Sequence, residues 1–421
     1  MEAKAQAEAR DYSFERSLIQ KKEGNVGVIN KCLDRVVNFF SVAIVFGTQL
    51  QTCLYADCGY PDRVWVDAEY LYWAIQDSPE PVPLVFEGDS ETAVLSDPHS
   101  FVVLGGKHVN LDWRSGGRFE LGAWFDEDCC LGLAADYFFL PSGWKKKSVF
   151  SSGLEGSPFL LVPYFNAADD GAEASFPIAS SVGDPAEYLE PFSGRATLKI
   201  KNRMQGAELN ALSFYPCCCE LNVTWLAGFR YWNFNETLSF VVNSPFVGEP
   251  DNVFITTDRF TAENNFYGGQ IGVLLDYAYD CFFANVKGKV ALGADCGTIE
   301  IYGNLETNEY LPGIHNYKGG LFALPSNIGK HSKTVFSVIP EINVNLGFEV
   351  SDNARIQVGY TFFYVSNMFW AGKQIDPNLN LSQAPADGYP TTPAVPPAPV
   401  SLQKASNLWV QGVSAGFEFR F

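Results

Sequence analysis

Along most of the chain beyond residue 63, hydrophobic and polar positions alternate with a period of two. Ten segments keep this alternation for about 10 residues or more, near 64–74, 116–126, 129–140, 203–214, 219–232, 265–277, 281–295, 335–349, 354–366 and 408–421. A period of two places successive side chains on opposite faces of an extended strand. In one segment Leu221, Val223, Trp225, Ala227, Phe229 and Tyr231 alternate with Glu220, Asn222, Thr224, Gly228 and Arg230, with Leu226 as the single interruption. Ile342, Val344, Leu346 and Phe348 alternate with Glu341, Asn343, Asn345 and Glu349, and Ile356, Val358, Tyr360, Phe362 and Tyr364 face away from Arg355, Gln357 and Thr361. The closing residues repeat the pattern, with Val413, Ala415, Phe417, Phe419 and Phe421 on one face and Gly412, Ser414, Gly416, Glu418 and Arg420 on the other. One apolar and one polar face over ~9–11 residues suits a strand that crosses a bilayer obliquely.

The connections alternate between two kinds. Short ones fall at Asp126-Glu127-Asp128, Tyr215-Pro216, Ala278-Tyr279-Asp280 and Ser351-Asp352-Asn353; long ones fill 75–115, 141–202, 233–264, 296–334 and 367–407. Short turns on the periplasmic side and long loops outside are the outer-membrane pattern. The expectation is an all-β, up-and-down antiparallel transmembrane β-barrel over 64–421, of ten strands. Twelve follow if residues 234–258 hide a further hairpin with Phe240-Val241-Val242 and Val253-Phe254-Ile255 as its arms. Apolar side chains then face lipid and the polar set lines the interior. The segment with Pro385, Pro390, Pro393, Pro396, Pro397 and Pro399 reads as extended and exposed, because proline removes donors from a ladder.

Composition narrows the function. Charged residues are 18% and aromatic residues 15% of the chain, and the formal net charge is −19. An excess of carboxylates argues against nucleic acid, which needs clustered Lys and Arg. The run Val36 to Gly47 follows Lys31 and Arg35 and is too short for a membrane helix, which takes ~20 residues. It reads as the core of a signal peptide within a leader spanning 1–56, with 57–63 as a periplasmic lead into the barrel.

A series of blocks runs through the chain in order: Ala68-Glu69-Tyr70-Leu71-Tyr72-Trp73, Pro81-Val82-Pro83-Leu84-Val85, Ser115-Gly116-Gly117-Arg118, Gly206-Ala207-Glu208-Leu209-Asn210 and Asn265-Phe266-Tyr267-Gly268-Gly269-Gln270. It continues through Gly288-Lys289-Val290-Ala291-Leu292-Gly293, Pro340-Glu341, Gly359-Tyr360-Thr361-Phe362, Gly372-Lys373-Gln374-Ile375-Asp376 and Val410-Gln411-Gly412. With these blocks in this order the chain resembles bacterial outer-membrane proteins of the putative β-barrel porin family seven. Where the family pattern suggests Arg-Pro-Gly, this chain has Trp370-Ala371-Gly372. The resemblance implies a barrel in the outer membrane and names no substrate. It also implies outer-membrane lipid and the barrel-assembly machinery as partners, with Phe417, Phe419 and Phe421 as the C-terminal assembly signal.

The candidate lumen charges are Arg118, Glu120, Asp126, Glu208, Glu220, Arg230, Lys287, Lys289, Glu341, Glu349, Arg355, Glu418 and Arg420. They suit either a hydrophilic pore for passive diffusion of small solutes or a plugged interior of paired charges, because ten strands lie between side-chain-filled and open barrels. Removing the leader leaves eight cysteines: Cys58, Cys129, Cys130, Cys217, Cys218, Cys219, Cys281 and Cys296. All but Cys296 fall at the predicted periplasmic rim, where thiols oxidise. They are candidates for disulfides, within the chain or to copies of itself and other envelope proteins, so a cross-linked scaffold is the alternative function. A third class is a surface-displayed adhesin, since loops on rigid scaffolds carry recognition. Phe159-Leu160-Leu161-Val162-Pro163-Tyr164 could bind a partner, line the mouth or cap the lumen. The four histidines, His99, His108, His315 and His331, form no catalytic constellation with nearby residues, and no cofactor or metal motif is present.

Overall fold

The computed structural model describes residues 63–125, 131–182, 190–216, 221–249, 251–279, 281–309, 312–385 and 396–421. The expected leader therefore lies outside the described residues. In chain order the strands are β1 (Val64–Ile75), β2 (Pro83–Gly88), β3 (Phe101–Gly105), β4 (Arg114–Trp124), β5 (Leu131–Ser151), β6 (Phe159–Asn166), β7 (Ala172–Ala179) and β8 (Gly194–Pro216). They continue with β9 (Leu221–Asn243), β10 (Phe254–Tyr279), β11 (Phe282–Thr307), β12 (His315–Lys318), β13 (Gly329–Ser351), β14 (Ala354–Phe369), β15 (Asn378–Leu379) and β16 (Ala405–Arg420).

Ten of them close an antiparallel ring in the order β1–β4–β5–β8–β9–β10–β11–β13–β14–β16, and β16 returns to β1 with Trp65 opposite Arg420 and Tyr70 opposite Ala415. Closure leaves no ladder edge in lipid, which is the condition for strands to span a bilayer. Alternation sets the faces: on β14, Ile356, Val358 and Tyr360 are exposed while Arg355, Gln357 and Thr361 are buried. Leu121, Leu209, Trp225, Ile271, Leu346 and Val413 carry the same exposed apolar band around the ring.

The structure departs from the sequence expectation in the length of the strands. β10 and β11 each run 26 residues, and β8, β9 and β13 each run 23, against ~10 needed for the bilayer. The described residues of 234–258 hold no extra hairpin. They extend β9 and β10 outward, pairing Val242 with Thr256 and Phe240 with Asp258, so the strand count is ten and not twelve. Tyr215-Pro216 likewise belong to β8, Pro216 standing opposite Asn222.

Polarity inverts along these long strands. On β9 the outward positions up to Tyr231 are apolar, then become Asn233, Asn235, Thr237 and Ser239. The inward positions change the other way, from Arg230 to Trp232, Phe234, Leu238, Phe240 and Val242, all buried. β8 does the same, with Arg203, Lys201 and Lys199 outside and Ile200, Leu198 and Ala196 inside. Below the switch the wall faces lipid; above it the wall faces water and needs an apolar core like any soluble sheet.

The long connections supply the other half of that core. β2, β3, β6, β7 and β15 form a second sheet, with β2 between β3 and β6. Leu84, Leu104, Leu160, Val162 and Leu379 pack in one cluster with Leu198, Leu238, Phe240, Phe260 and Ile299 of the barrel wall. Only β5, β8, β9, β10, β11 and β13, contiguous in the ring, are extended; β1, β4, β14 and β16 are short. The second sheet fills the side they leave low. The 159–164 segment, whose role the sequence left open, is thus a cap. Pro385 and Pro399 are buried, Pro396 and Pro397 are exposed, and Pro390 and Pro393 lie outside the described residues.

Candidate functional site

Descending from the cap built by the long connections, the interior passes through three layers. The first is apolar: Trp73, Phe138, Met204, Trp232, Phe266 and Phe363 point inward and are at most 2% exposed. Together with Ala291, Ile339, Val365, Leu408 and Val410 they draw on nine of the ten barrel strands. Trp73, Phe138 and Phe363 form a triangle with ring centroids 5.6 to 6.1 Å apart. Gly206 makes room for it, because a Cβ there would lie 2.3 Å from Phe138.

The second layer is charged, its side chains at most 12% exposed. Arg230 reaches Glu341 at 2.6 Å and Glu208 at 3.5 Å. The Lys289 amine donates to both oxygens of Glu208 at 2.9 Å and lies 3.1 Å from Glu341. Arg118 lies 3.3 Å from Glu69, 3.8 Å from Asp136 and 3.9 Å from Glu341. Gln270 donates to Glu208 at 2.7 Å and to Asn210 at 2.6 Å. The two layers interlock, since the Arg118 guanidinium sits 5.1 Å from the Trp73 ring centre and that of Arg230 5.5 Å from Phe363. A cation held over a ring and paired with carboxylates is fixed by geometry as well as by charge.

The third layer is a cavity of about 390 Å³ at the short-turn end, whose paired side chains are mostly more exposed than those above. Lys287 pairs with Glu120 at 2.7 Å, and Trp65 donates to the same carboxylate at 3.0 Å. Arg355 pairs with Glu349 and lies 3.7 Å from Asp276; Arg420 pairs with Glu418.

Of the lumen charges taken from the sequence, Arg118, Glu208, Arg230, Lys289 and Glu341 meet in the charged layer, all but Arg230 of them forming the roof of the cavity, and Glu120, Lys287, Arg355, Glu418 and Arg420 line the rest of it. Asp126 and Glu220 lie outside the described residues. Sequence reasoning passed over Glu69 and Asp136, although both stand at inward parity on β1 and β5. It also missed the apolar layer, where the inward face was expected to be polar throughout. Phe417, Phe419 and Phe421 stand on the outer face of the last strand as a ladder of rings, with centroids 6.4 and 4.7 Å apart. Cys58, Cys129, Cys130 and Cys217 to Cys219 lie outside the described residues. Cys281 is exposed and free at the β10–β11 turn, and Cys296 is buried on β11 with the Thr334 hydroxyl 3.9 Å from its sulfur. His99 lies 3.6 Å from Asp89 on the surface, and the rings of His315 and His331 bond backbone carbonyls of Pro312 and Asn327.

No curated protein matches the sequence. Among solved structures, the outer membrane protease OmpT of Escherichia coli is 12% identical, covering 86% of this chain and 97% of that one, with a TM-score of 0.42. The toluene transporter TodX of P. putida is 8% identical, with coverage of 86% and 91% and a TM-score of 0.18. A FadL homologue of Pseudomonas aeruginosa is 6% identical, with coverage of 86% and 90% and a TM-score of 0.22. A family model describes nearly the whole barrel: residues 65–421 match the one named Putative beta barrel porin-7, and the chain belongs to that family.

Proposed function

We propose that the protein is an outer-membrane barrel that stands closed, a scaffold spanning the lipid beneath a folded extracellular cap. The observation that carries this reading is the apolar layer: where inward side chains from nine strands are almost wholly buried, no water-filled path passes. The paired charges beneath it act as struts rather than as a selectivity filter. The short turns face the periplasm in this reading, and the long strands raise the cap above the bilayer.

Single-channel recording of the folded chain in a planar lipid bilayer tests it. Silence is expected. Discrete, reproducible steps from the wild-type chain would refute the closed reading.

Passive diffusion of small hydrophilic solutes is the second reading, supported by the family's description as a porin and by the polar cavity at the short-turn end. It requires the cap to withdraw. Steps that appear only after proteolytic removal of the cap would favour it. A scaffold linked to its neighbours is supported by Cys281, exposed at a short turn. It predicts oligomers on non-reducing gels that dithiothreitol dissolves and Cys281→Ser weakens.

A further inference from the structure

Above the apolar layer, beyond the lipid-facing band, three segments converge on two carboxylates. Glu236 projects inward from β9 and is fully buried. Its Oε1 accepts the backbone N–H of Ala371 at 3.1 Å, and its other oxygen accepts the hydroxyl of Ser78. Two residues beyond Ser78, Glu80 is 1% exposed, and neither of its carboxylate oxygens has a hydrogen-bond partner among the described residues. The amide oxygen of Asn202, 2% exposed, is also unpartnered there, while its side chain bonds Glu236. Gly372 closes the site: a Cβ at that position would fall 2.2 Å from the Pro79 carbonyl oxygen and 3.1 Å from Glu80 Oε2. Only glycine lets this backbone lie against the carboxylates.

The arrangement is rich in acceptors, and among the described residues no cation pairs with either carboxylate. Lys373, the nearest cation in sequence to Gly372, donates to Ser406 at 2.6 Å. Arg114 is directed at the backbone carbonyls of Pro141 and Asn202, at 3.3 and 3.1 Å. An ionised carboxylate left unpaired in such a place is strongly disfavoured. Burial and the neighbouring Glu236 push the Glu80 carboxyl well above the usual carboxylate range, which marks the same deficit of positive charge.

We infer that Glu80 and Glu236 hold a divalent cation of the calcium class, drawn from the external medium, and that it locks the extracellular cap onto the barrel wall. Carboxylate and amide oxygens without nitrogen or sulfur suit a hard cation that tolerates irregular coordination. Both oxygens of Glu80 are free to take part, and the Asn202 amide oxygen and Pro79 carbonyl are the neutral oxygens at hand. The ion ties the β1–β2 connection to β9 and to the segment after β14, the three pieces that close the lumen. Binding does not require the lumen to be closed, so it can be tested apart from conductance.

The test uses the full chain, folded in detergent at pH 7.5 and stripped with chelator, titrated with calcium chloride in a calorimeter, with magnesium chloride as the comparison. One calcium per chain is expected, together with a rise of several degrees in the melting temperature over the chelated protein. Glu80→Gln, which removes a charge but keeps the shape, should lower calcium affinity at least tenfold and abolish the thermal shift. Terbium provides a reading on the wild type alone, because buried Trp370 adjoins the site and can sensitise its emission, which calcium should displace. Equal melting temperatures in calcium and chelator would overturn the inference. So would unchanged affinity in Glu80→Gln, or terbium emission that calcium does not displace.

Discussion

Replacing Arg230 by alanine is the sharpest test of the charged layer. The side chain is 1% exposed and lies 2.6 Å from Glu341 and 3.5 Å from Glu208. At an effective dielectric of ~20 these separations correspond to attractions of about 6 and about 5 kcal/mol, upper bounds because guanidinium charge is delocalised. Arg118, Arg230 and Lys289 face Glu69, Asp136, Glu208 and Glu341 in the layer, so removing Arg230 leaves two cations for four carboxylates. Lys289 and Gln270 still hold Glu208, which returns part of the loss. Arg230→Ala should therefore cost about 3–5 kcal/mol, the usual penalty for stranding a buried charge. Arg230→Met combined with Glu341→Gln restores the original imbalance of one and should fall within about 1–2 kcal/mol of wild type, since a packed apolar pair can replace a buried ion pair. The assay is reversible denaturant unfolding in lipid vesicles, followed by tryptophan fluorescence. A single-mutant cost below about 1 kcal/mol, or a double mutant as unstable as the single, would show that these charges are not mutually supporting.

Four further outcomes follow from the layers above and around that one. Phe322, fully buried and 6.0 Å from Phe240, anchors the cap; Phe322→Ala should cost about 3–5 kcal/mol and speed protease cleavage of the long loops, leaving the membrane-embedded part intact on gels. Asp258 accepts backbone N–H bonds from Leu321, Phe322 and Ala323 at 2.7 to 3.1 Å, so Asp258→Ala should release this loop and weaken the cap by about 1.5–3 kcal/mol, read by hydrogen exchange at 321–323. Val358 is 62% exposed on the lipid face, and Val358→Arg should cost about 2–4 kcal/mol in vesicles, whereas the same change at Thr237, outside the band, should be near neutral. Burial pushes the Glu236 carboxyl up to about 7, so in chelator its contribution to cap stability is full below ~4.5 and is lost as pH rises through about 7. Glu80, its carboxyl also raised by burial, is the titratable group facing it among the described residues, and Glu236→Gln should make the melting-temperature profile between pH 5 and 8 less steep.

Alternation carried the lipid-facing part of the fold, because lipid outside and buried polar groups inside impose opposite demands on neighbouring residues. Trp225, Ala227 and Phe229 on β9 could hardly face another way with Thr224, Gly228 and Arg230 between them. The outer halves were harder to read. At Tyr231 the solvent outside changes from lipid to water, so polar and apolar parities exchange, and Asn233 to Asn243 reads as a loop with scattered hydrophobic residues. Continuing the parity of Arg230 through Trp232, Phe234, Leu238 and Phe240 would have exposed the inversion. Glu80 carries no such signal, because it lies on a connection whose path is set by packing between distant segments.

The layers also bear on the proposal that a barrel of this size stands closed. A ten-strand ring encloses more space than charged side chains reaching in from the wall can fill by themselves, and the inward-facing Gly206 adds no side chain of its own at the central level. The chain fills it with material from two sources, the aromatic side chains of the wall and the sheet built from its loops. Each needs the other. The cap cannot form a core alone, because Leu160, Val162 and Leu84 find their partners on β8, β9, β10 and β11, and those extended strands would expose Leu238, Phe240 and Ile299 to water if the cap withdrew. Opening the lumen therefore means uncovering apolar surface on both sides at once. A gated pore would have to compensate that exposure with a ligand or partner on the extracellular face, and this requirement favours the closed scaffold as the resting state.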